Sequence, residues 1–174
     1  MYKKIIFIKK KEMATITLKG NEIHTKSALP AIGSKLADTL LIANTLAEKK
    51  ISDYKGKRLI LNIFPSIDTG ICAMSVKQFN KDAANLENTV VLSISKDLPF
   101  ALSRFCGAEG IENVETLSAF RTDDFSSLEI VDGPLVGLLS RCIIVADEDG
   151  TVLYTEQVPE ITIEPNYKAA LEAL

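Results

Sequence analysis

Leu59-Ile60-Leu61-Asn62-Ile63-Phe64-Pro65-Ser66-Ile67-Asp68-Thr69-Gly70-Ile71-Cys72 changes its pattern half-way along. Its first six residues are almost continuously apolar, as a parallel strand buried on both faces should be. The fixed φ of Pro65 suits a bend after that strand. Beyond it the spacing turns helical. Over residues 71–84, Cys72, Val76, Phe79 and Ala83 share one face, with Lys77, Asn80, Lys81 and Asn85 largely elsewhere. Thr89 to Ile94 is a second buried strand. Strand, helix and strand in roughly 35 residues make a right-handed βαβ unit with parallel strands.

Weaker elements lie on either side. Thr15-Ile16-Thr17-Leu18 alternates, Gly20-Asn21 turns and Glu22-Ile23-His24-Thr25 returns, which predicts an N-terminal hairpin. Asp38 to Ala43 and Lys50-Ile51 read as short strands. Residues 98–108 predict a helix, and Val114–Leu117 and Cys142–Val145 predict strands. Asp149-Gly150 is a hairpin turn leading into Val152-Leu153-Tyr154, and Tyr167 to Leu174 is helical after Pro165. A central mixed β-sheet flanked by helices, with a hairpin at the N-terminus and another late in the chain, is a thioredoxin-like α/β arrangement. A doubly wound flavodoxin-like sheet is the rival, and the hairpin over residues 142–154 weighs against it.

The 174 residues suffice for one compact domain, and 47% are hydrophobic, which excludes a disordered chain. Residues 1–12 hold five lysines and one acid, while residues 13–174 carry 15 basic and 22 acidic side chains, a net of −7. The expected organisation is a flexible N-terminal extension over 1–12 and one domain over 13–174. Met13-Ala14-Thr15 would itself make an ordinary start. The apolar run Ile5-Ile6-Phe7-Ile8 is too short for a signal peptide or a membrane span. No basic stripe marks a nucleic-acid surface. Neither a membrane nor a nucleic-acid partner is expected, and a reducing cytoplasm is the expected setting.

Three cysteines, Cys72, Cys106 and Cys142, are spaced 34 and 36 residues apart, and His24 is the sole histidine. No CxxC pair exists, so a structural zinc site is not expected. Cys72 falls in the first turn of the helix that follows the buried strand. Free N–H groups and the helix dipole favour negative charge there. A thiol of ordinary pKa is only about 3% thiolate at pH 7, whereas one lowered to ~6 is about 90%. Position alone leaves two readings open: a reactive thiolate, or a small apolar residue on the core face.

The surrounding residues carry a resemblance. Pro65-x-x-x-Thr69-x-x-Cys72 is similar to the peroxiredoxin active-site signature, and Phe64 to Cys72 as a whole resembles the bacterial thiol peroxidase branch of that family. The likeness continues in Ser93-Ile94-Ser95-Lys96-Asp97-Leu98-Pro99-Phe100-Ala101 and Arg104-Phe105-Cys106-Gly107, and covers roughly residues 15–174. Between Phe125 and Asp132 the chain departs from the family, being a few residues shorter where many relatives carry a Tyr-Gly-Val-like segment.

That resemblance implies a cycle. Cys72 matches the peroxidatic cysteine, Thr69 the hydroxyl that orients sulfur and peroxide, and Pro65 the proline that shields the sulfur. Without the family, Thr69 reads as an N-cap and Pro65 as a strand end. Arg141, just before the Cys142 strand, matches the active-site arginine; on its own it reads as a surface charge. Cys106 matches the resolving cysteine, which takes the Cys72 sulfenic acid into an intramolecular disulfide. The family implies hydroperoxide substrates, thioredoxin as reductant, no cofactor and a homodimer. A thiol-disulfide oxidoreductase of this fold would carry Cys-x-x-Cys, and the position three before Cys72 is Thr69, which counts against that activity. A peroxide-sensing thiol protein without turnover is the alternative from another class. Cys142 reads as a core residue and His24 as uninvolved. Asp68 reads as a loop-ordering residue, and Gly133 to Gly137 as a turn.

Overall fold

The computed structural model describes residues 12–174. The expected extension over 1–12 lies outside the described residues apart from Glu12, whose carbonyl accepts the Ala28 N–H at 2.7 Å.

Thr15–Leu18 (β1) and Asn21–His24 (β2) pair antiparallel, with Ile16 opposite Ile23. The turn sits one residue earlier than the sequence reading placed it. Leu18 pairs with Asn21, so Lys19 and Gly20 form the tip, with φ of 51° and 80°. Two left-handed residues in succession match the twist of the flanking strands. Register decides the matter: both isoleucines are buried, and a one-residue slip would turn one of them outward.

The main sheet is built from Leu40–Ala43 (β3), Glu48–Lys50 (β4), Arg58–Ile63 (β5), Thr89–Ser95 (β6), Glu115–Ser118 (β7), Cys142–Ala146 (β8) and Val152–Gln157 (β9). Its spatial order is β4-β3-β7-β6-β5-β8-β9. β5, β6 and β7 run parallel, and β3 and β8 flank them antiparallel. β4 and β9 extend the two edges, again antiparallel. The helices are Gly70–Ala83 (α1), Pro99–Glu109 (α2) and Tyr167–Glu172 (α3). This is the expected thioredoxin-like sheet with its late hairpin. One short strand ends early: the Asp53 carboxylate takes the Lys50 N–H at 2.8 Å, and Ile51–Tyr54 becomes a 3-10 turn.

Strand alternation divides β5 between two cores. Leu59, Leu61 and Ile63 face one side, with Leu92, Ile94 and Ile144, under Phe125, Leu128 and Leu139. Ile60 faces the other, where Val91, Ile143 and Val145 meet Phe79 of α1 and Ala170 of α3. Each such side chain contributes about 1.5–3 kcal/mol on burial. α1 keeps its place because Cys72, Val76 and Phe79 fall on one stripe, all buried.

The short Ser126–Val131 run is a docked connection. Ser126–Leu128 makes a 3-10 turn, Lys26 and Ser27 donate to the carbonyls of Glu129 and Ser127 at 2.9 and 2.8 Å, and Ile130 is buried. Gly133 then passes the hairpin with φ of 70°, and a Cβ there would lie 2.7 Å from Ile23 Cγ2. Only glycine suits that approach.

The hairpin is tied to the far end of the chain as well. Thr17 donates its N–H to Pro159 and accepts one from Ile161, at 2.7 and 2.9 Å. The Glu160 carboxylate accepts from Thr17 Oγ1 at 2.7 Å, from the Lys19 and Gly20 N–H groups at 3.0 Å each, and from Thr162 Oγ1 at 2.6 Å. The Thr162 hydroxyl, then the Gly20 N–H and the Thr17 hydroxyl, hold this carboxyl far below the usual carboxylate range. A depressed folded-state pKa contributes stability that is complete above the unfolded value, about 4.3 for Glu, and fades as pH falls below it. Glu160→Gln should therefore lower the melting temperature at neutral pH, and the gap from wild type should begin to close below about pH 4. Melting curves at both pH values check this; a gap that does not depend on pH would contradict it.

Candidate active site

β5 delivers its C-terminal end to a buried bend. The Phe64 N–H continues the parallel pairing to Ile94 O at 3.1 Å, and Pro65, with no N–H, ends it. Phe64, Pro65 and Ile67 are buried. Thr69 occupies the N-cap position of α1 in extended conformation (φ −102°, ψ 144°), yet its side chain makes no capping bond. Its hydroxyl points elsewhere, 2.8 Å from Cys72 Sγ and 3.0 Å from Ser66 O. One hydroxyl proton can serve one acceptor at a time. With Cys72 as thiol, the S–H can donate to Thr69, which donates to Ser66; with Cys72 as thiolate, the Thr69 proton turns to sulfur. Both protonation states are satisfied without moving a heavy atom.

Cys72 is the third residue of α1 and is fully buried. Across from Thr69 stands Arg141, the residue before β8, only 2% exposed. Its Nε donates to Ile161 O at 2.9 Å and its Nη2 to Cys72 Sγ at 3.3 Å, while Nη1 is buried without a partner. No carboxylate pairs with this guanidinium among the described residues. A buried cation with no anion is costly. Of its two hydrogen-bond partners among the described residues, the sulfur is the one that can carry negative charge. The fold thus brings Cys72, Thr69 and Arg141 to one point, with Pro65 in the bend before them.

A redoxin family model matches residues 25–171. The chain belongs to the redoxin family. It is 54% identical to a thiol peroxidase of Corynebacterium glutamicum over 164 residues, 93% of this chain and 99% of that one. A peroxiredoxin-like protein from Aquifex aeolicus superposes with a TM-score of 0.87 at 35% identity, covering 92% of this chain and 96% of the other. A thiol peroxidase from Chromobacterium violaceum shares the fold with a TM-score of 0.83 at 19% identity, over 91% and 93% of the two chains. The likeness to the bacterial thiol peroxidase branch, read from Phe64–Cys72 and the 93–107 block, is borne out.

Among the described residues, the others singled out from the sequence make no hydrogen bond to the Cys72 sulfur, whose partners are Thr69 and Arg141. Cys106 sits in the later turns of α2, half-buried, with Sγ 3.4 Å from Thr116 Oγ1. It packs at the edge of the apolar group that holds Cys72, Phe64 and Leu102, and it lines a cleft of about 620 Å³ with Asn44, Lys49 and Thr116. All three cysteines are free thiols here. Cys142 is a core residue, and burial pushes its thiol up to about 12. His24 pairs with Asp132, 108 residues further on, at 2.7 Å, and among the described residues no nucleophile is bonded to the pair. Asp68 reaches Arg104 of α2 at 3.0 Å in an exposed ion pair.

Sequence reasoning missed two polar anchors, one on the loop and one between β5, α1 and β6. Asp97 follows β6 and gathers Ser66, Ile67 and Ser95 onto its carboxylate. Asn62 is buried in β5, with Nδ2 at 3.3 Å from Ser75 Oγ and 3.4 Å from Ser93 Oγ. A polar residue inside the run Leu59–Phe64 was the available signal for the latter. The contrast between the cysteines is testable by alkylation. Iodoacetamide at pH 8 should modify Cys106 in the folded protein and leave Cys142 untouched, while all three react in guanidinium. Mass spectrometry reads the outcome, and labelling of folded Cys142 would contradict its burial.

Proposed function

We propose that this chain is a thiol peroxidase in which Cys72 attacks hydrogen peroxide and organic hydroperoxides. The observation that carries the reading is the sulfur held between a hydroxyl at 2.8 Å and a buried guanidinium at 3.3 Å. The Cys72 thiolate attacks the terminal peroxide oxygen and the O–O bond breaks. The sulfur becomes a sulfenic acid, and the other oxygen leaves as water or alcohol once protonated. Charge moves from sulfur to the leaving oxygen, and preorganised donors stabilise charge where it develops. Thr69 Oγ1 and the unpartnered Arg141 Nη1 are the donors available to the two peroxide oxygens. Pro65 shields the sulfur from bulk water.

Cys106 is the proposed resolving thiol. Its sulfur condenses with the sulfenic acid, releasing water and forming the Cys72–Cys106 disulfide. A disulfide needs Cα atoms within roughly 7 Å. Cys72 is buried in the first turn of an intact α1 and Cys106 lies in the later turns of an intact α2. The first turn of α1 and the chain around Cys106 therefore unwind during each cycle. A thioredoxin-type dithiol restores both thiols. The proposed peroxidase domain spans residues 13–174, and the proposed chemistry uses no cofactor.

The proposed setting is a reducing cytoplasm, and the proposed assembly a homodimer. In support of the latter, Leu98, Phe100 and Phe120 are 49%, 64% and 43% exposed. They lie close together, since Ser118 Oγ donates to Asp97 O between them. No helix among the described residues is long and apolar enough to cross a membrane.

Peroxide consumption with thioredoxin, thioredoxin reductase and NADPH tests the cycle. Wild type should turn over repeatedly. Cys72→Ser should be inactive, and Cys106→Ser should consume one equivalent of peroxide and stall. Arg141→Ala should slow the first step by about a hundredfold, the loss of one charge-assisted contact in the transition state, while the disulfide still forms. Turnover in Cys72→Ser would overturn the assignment, and an unchanged first step in Arg141→Ala would remove that residue from the site.

A further inference from the structure

The Cys72 loop has a second anchor that takes no part in the chemistry above. Asp97 follows β6 and lies two residues before Pro99, the first residue of α2. Its Oδ1 accepts from Ser66 Oγ at 2.7 Å, and its Oδ2 accepts from the Ile67 N–H and from Ser95 Oγ, each at 2.6 Å. Its own carbonyl accepts from Ser118 Oγ of β7. The neighbouring Lys96 is engaged by Glu129. No cation pairs with Asp97 among the described residues, so three hydrogen-bond donors alone satisfy the half-buried carboxylate.

Two of those donors belong to the loop that delivers the nucleophile. Ser66 passes the constraint on, because its carbonyl accepts from the Thr69 hydroxyl at 3.0 Å and from the Thr69 N–H at 3.2 Å. Thr69 in turn meets Cys72 Sγ at 2.8 Å. A continuous chain of bonds thus runs from the end of β6, through Ser66 and Thr69, to the sulfur. Cutting it leaves Thr69 free to leave the sulfur. The same chain opposes unwinding of the first turn of α1, because Thr69 cannot swing outward while Ser66 and Ile67 are held.

We propose that Asp97 is a positioning residue that latches the Cys72 loop onto β6, and that its release sets how fast the oxidised loop reaches Cys106. The inference rests on the peroxidase reading above and deepens it. A strong latch favours the first step, in which thiolate and peroxide must be aligned. It slows the second, in which the loop must open. The interval between them is when a second hydroperoxide can convert the Cys72 sulfenic acid to sulfinic acid, releasing one more alcohol or water. Asp97 therefore governs the balance between disulfide formation and over-oxidation.

Rapid-mixing kinetics on wild type, Asp97→Asn, Asp97→Glu and Ser66→Ala separate the two steps, and circular dichroism reports folding. Asp97→Asn should slow the reaction with peroxide roughly tenfold, the factor expected for losing one charge-assisted hydrogen bond. It should accelerate disulfide formation, and mass spectrometry should find less Cys72 sulfinic acid under excess peroxide. Asp97→Glu, which keeps the carboxylate, should recover part of both rates. Ser66→Ala cuts the Oδ1 link, together with the 3.3 Å bond that Ser66 Oγ accepts from the Asp68 N–H, leaves the Ile67 and Ser95 links to Asp97 in place, and should move both rates in the same directions by less, which keeps the test decisive if Asp97→Asn does not fold. Slowing of both steps in a variant that circular dichroism shows to be folded, or no change in either step, would overturn the proposal. Absence of turnover in wild type would instead refute the peroxidase reading.

Discussion

A buried guanidinium without a carboxylate partner is the constraint around which the site is organised. Arg141 has an oxygen of Ile161 on one side and the sulfur of Cys72 on the other. An isolated cation in a protein interior is unfavourable unless charge and hydrogen bonds compensate it. The carbonyl supplies a hydrogen bond, and the sulfur is where compensating charge can reside. Everything that fixes Ile161 therefore bears on the thiol. Ile161 is bonded to Thr17 of the N-terminal hairpin, and Glu160 beside it gathers five further donors, three of them from that hairpin. The hairpin, which lies outside the main sheet, is thereby part of the scaffold of the arginine.

In the proposed cycle Cys72 is subject to opposing demands. Reaction with peroxide would need Cys72, Thr69 and Arg141 held together, as they are in the closed loop. Reaching Cys106 would need the same loop to come apart. An α-helix that starts at Gly70 suits both requirements. Its first turn lacks intrahelical partners for its N–H groups and is the cheapest part of the helix to open. The surface ion pair Asp68–Arg104 adds little resistance, since exposed pairs contribute about 0–1 kcal/mol. The Asp97 carboxylate, half-buried and bonded three times, is the stronger tie.

Much of this was legible in the order of residues. Period-two and apolar runs marked most strands of the sheet, and the stripe of Cys72, Val76 and Phe79 marked α1, because these signals are local and repeat along the chain; β4, Glu48–Lys50, carries neither signal and overlaps the expected Lys50-Ile51 strand at Lys50 alone. Cys72 at a strand-to-helix junction was visible for the same reason. The hairpin turn was displaced by one residue, because Gly20-Asn21 is a good turn pair while burial of Ile16 and Ile23 sets the register. The N-cap reading of Thr69 had the right position and the wrong bond, since its hydroxyl is taken by Ser66 and Cys72.

By itself the sequence determined the layers of the fold, the place of Cys72 in the first turn of a helix, and the redoxin pattern that makes it a candidate nucleophile. Periodicity and motif spacing are properties of neighbours along the chain. The resemblance singled out Arg141, but only the tertiary structure decided the contacts by which distant groups converge on that sulfur. Arg141 lies 69 residues from Cys72, Ile161 a further 20 residues on, and Asp97 31 residues from Ser66. Sheet order β6-β5-β8 is what brings them together, by placing the strand before Asp97 and the strand after Arg141 on either side of the one that ends at the loop. Hydrogen bonds between such groups depend on ångström-scale distances set by packing, and no spacing in the chain encodes them.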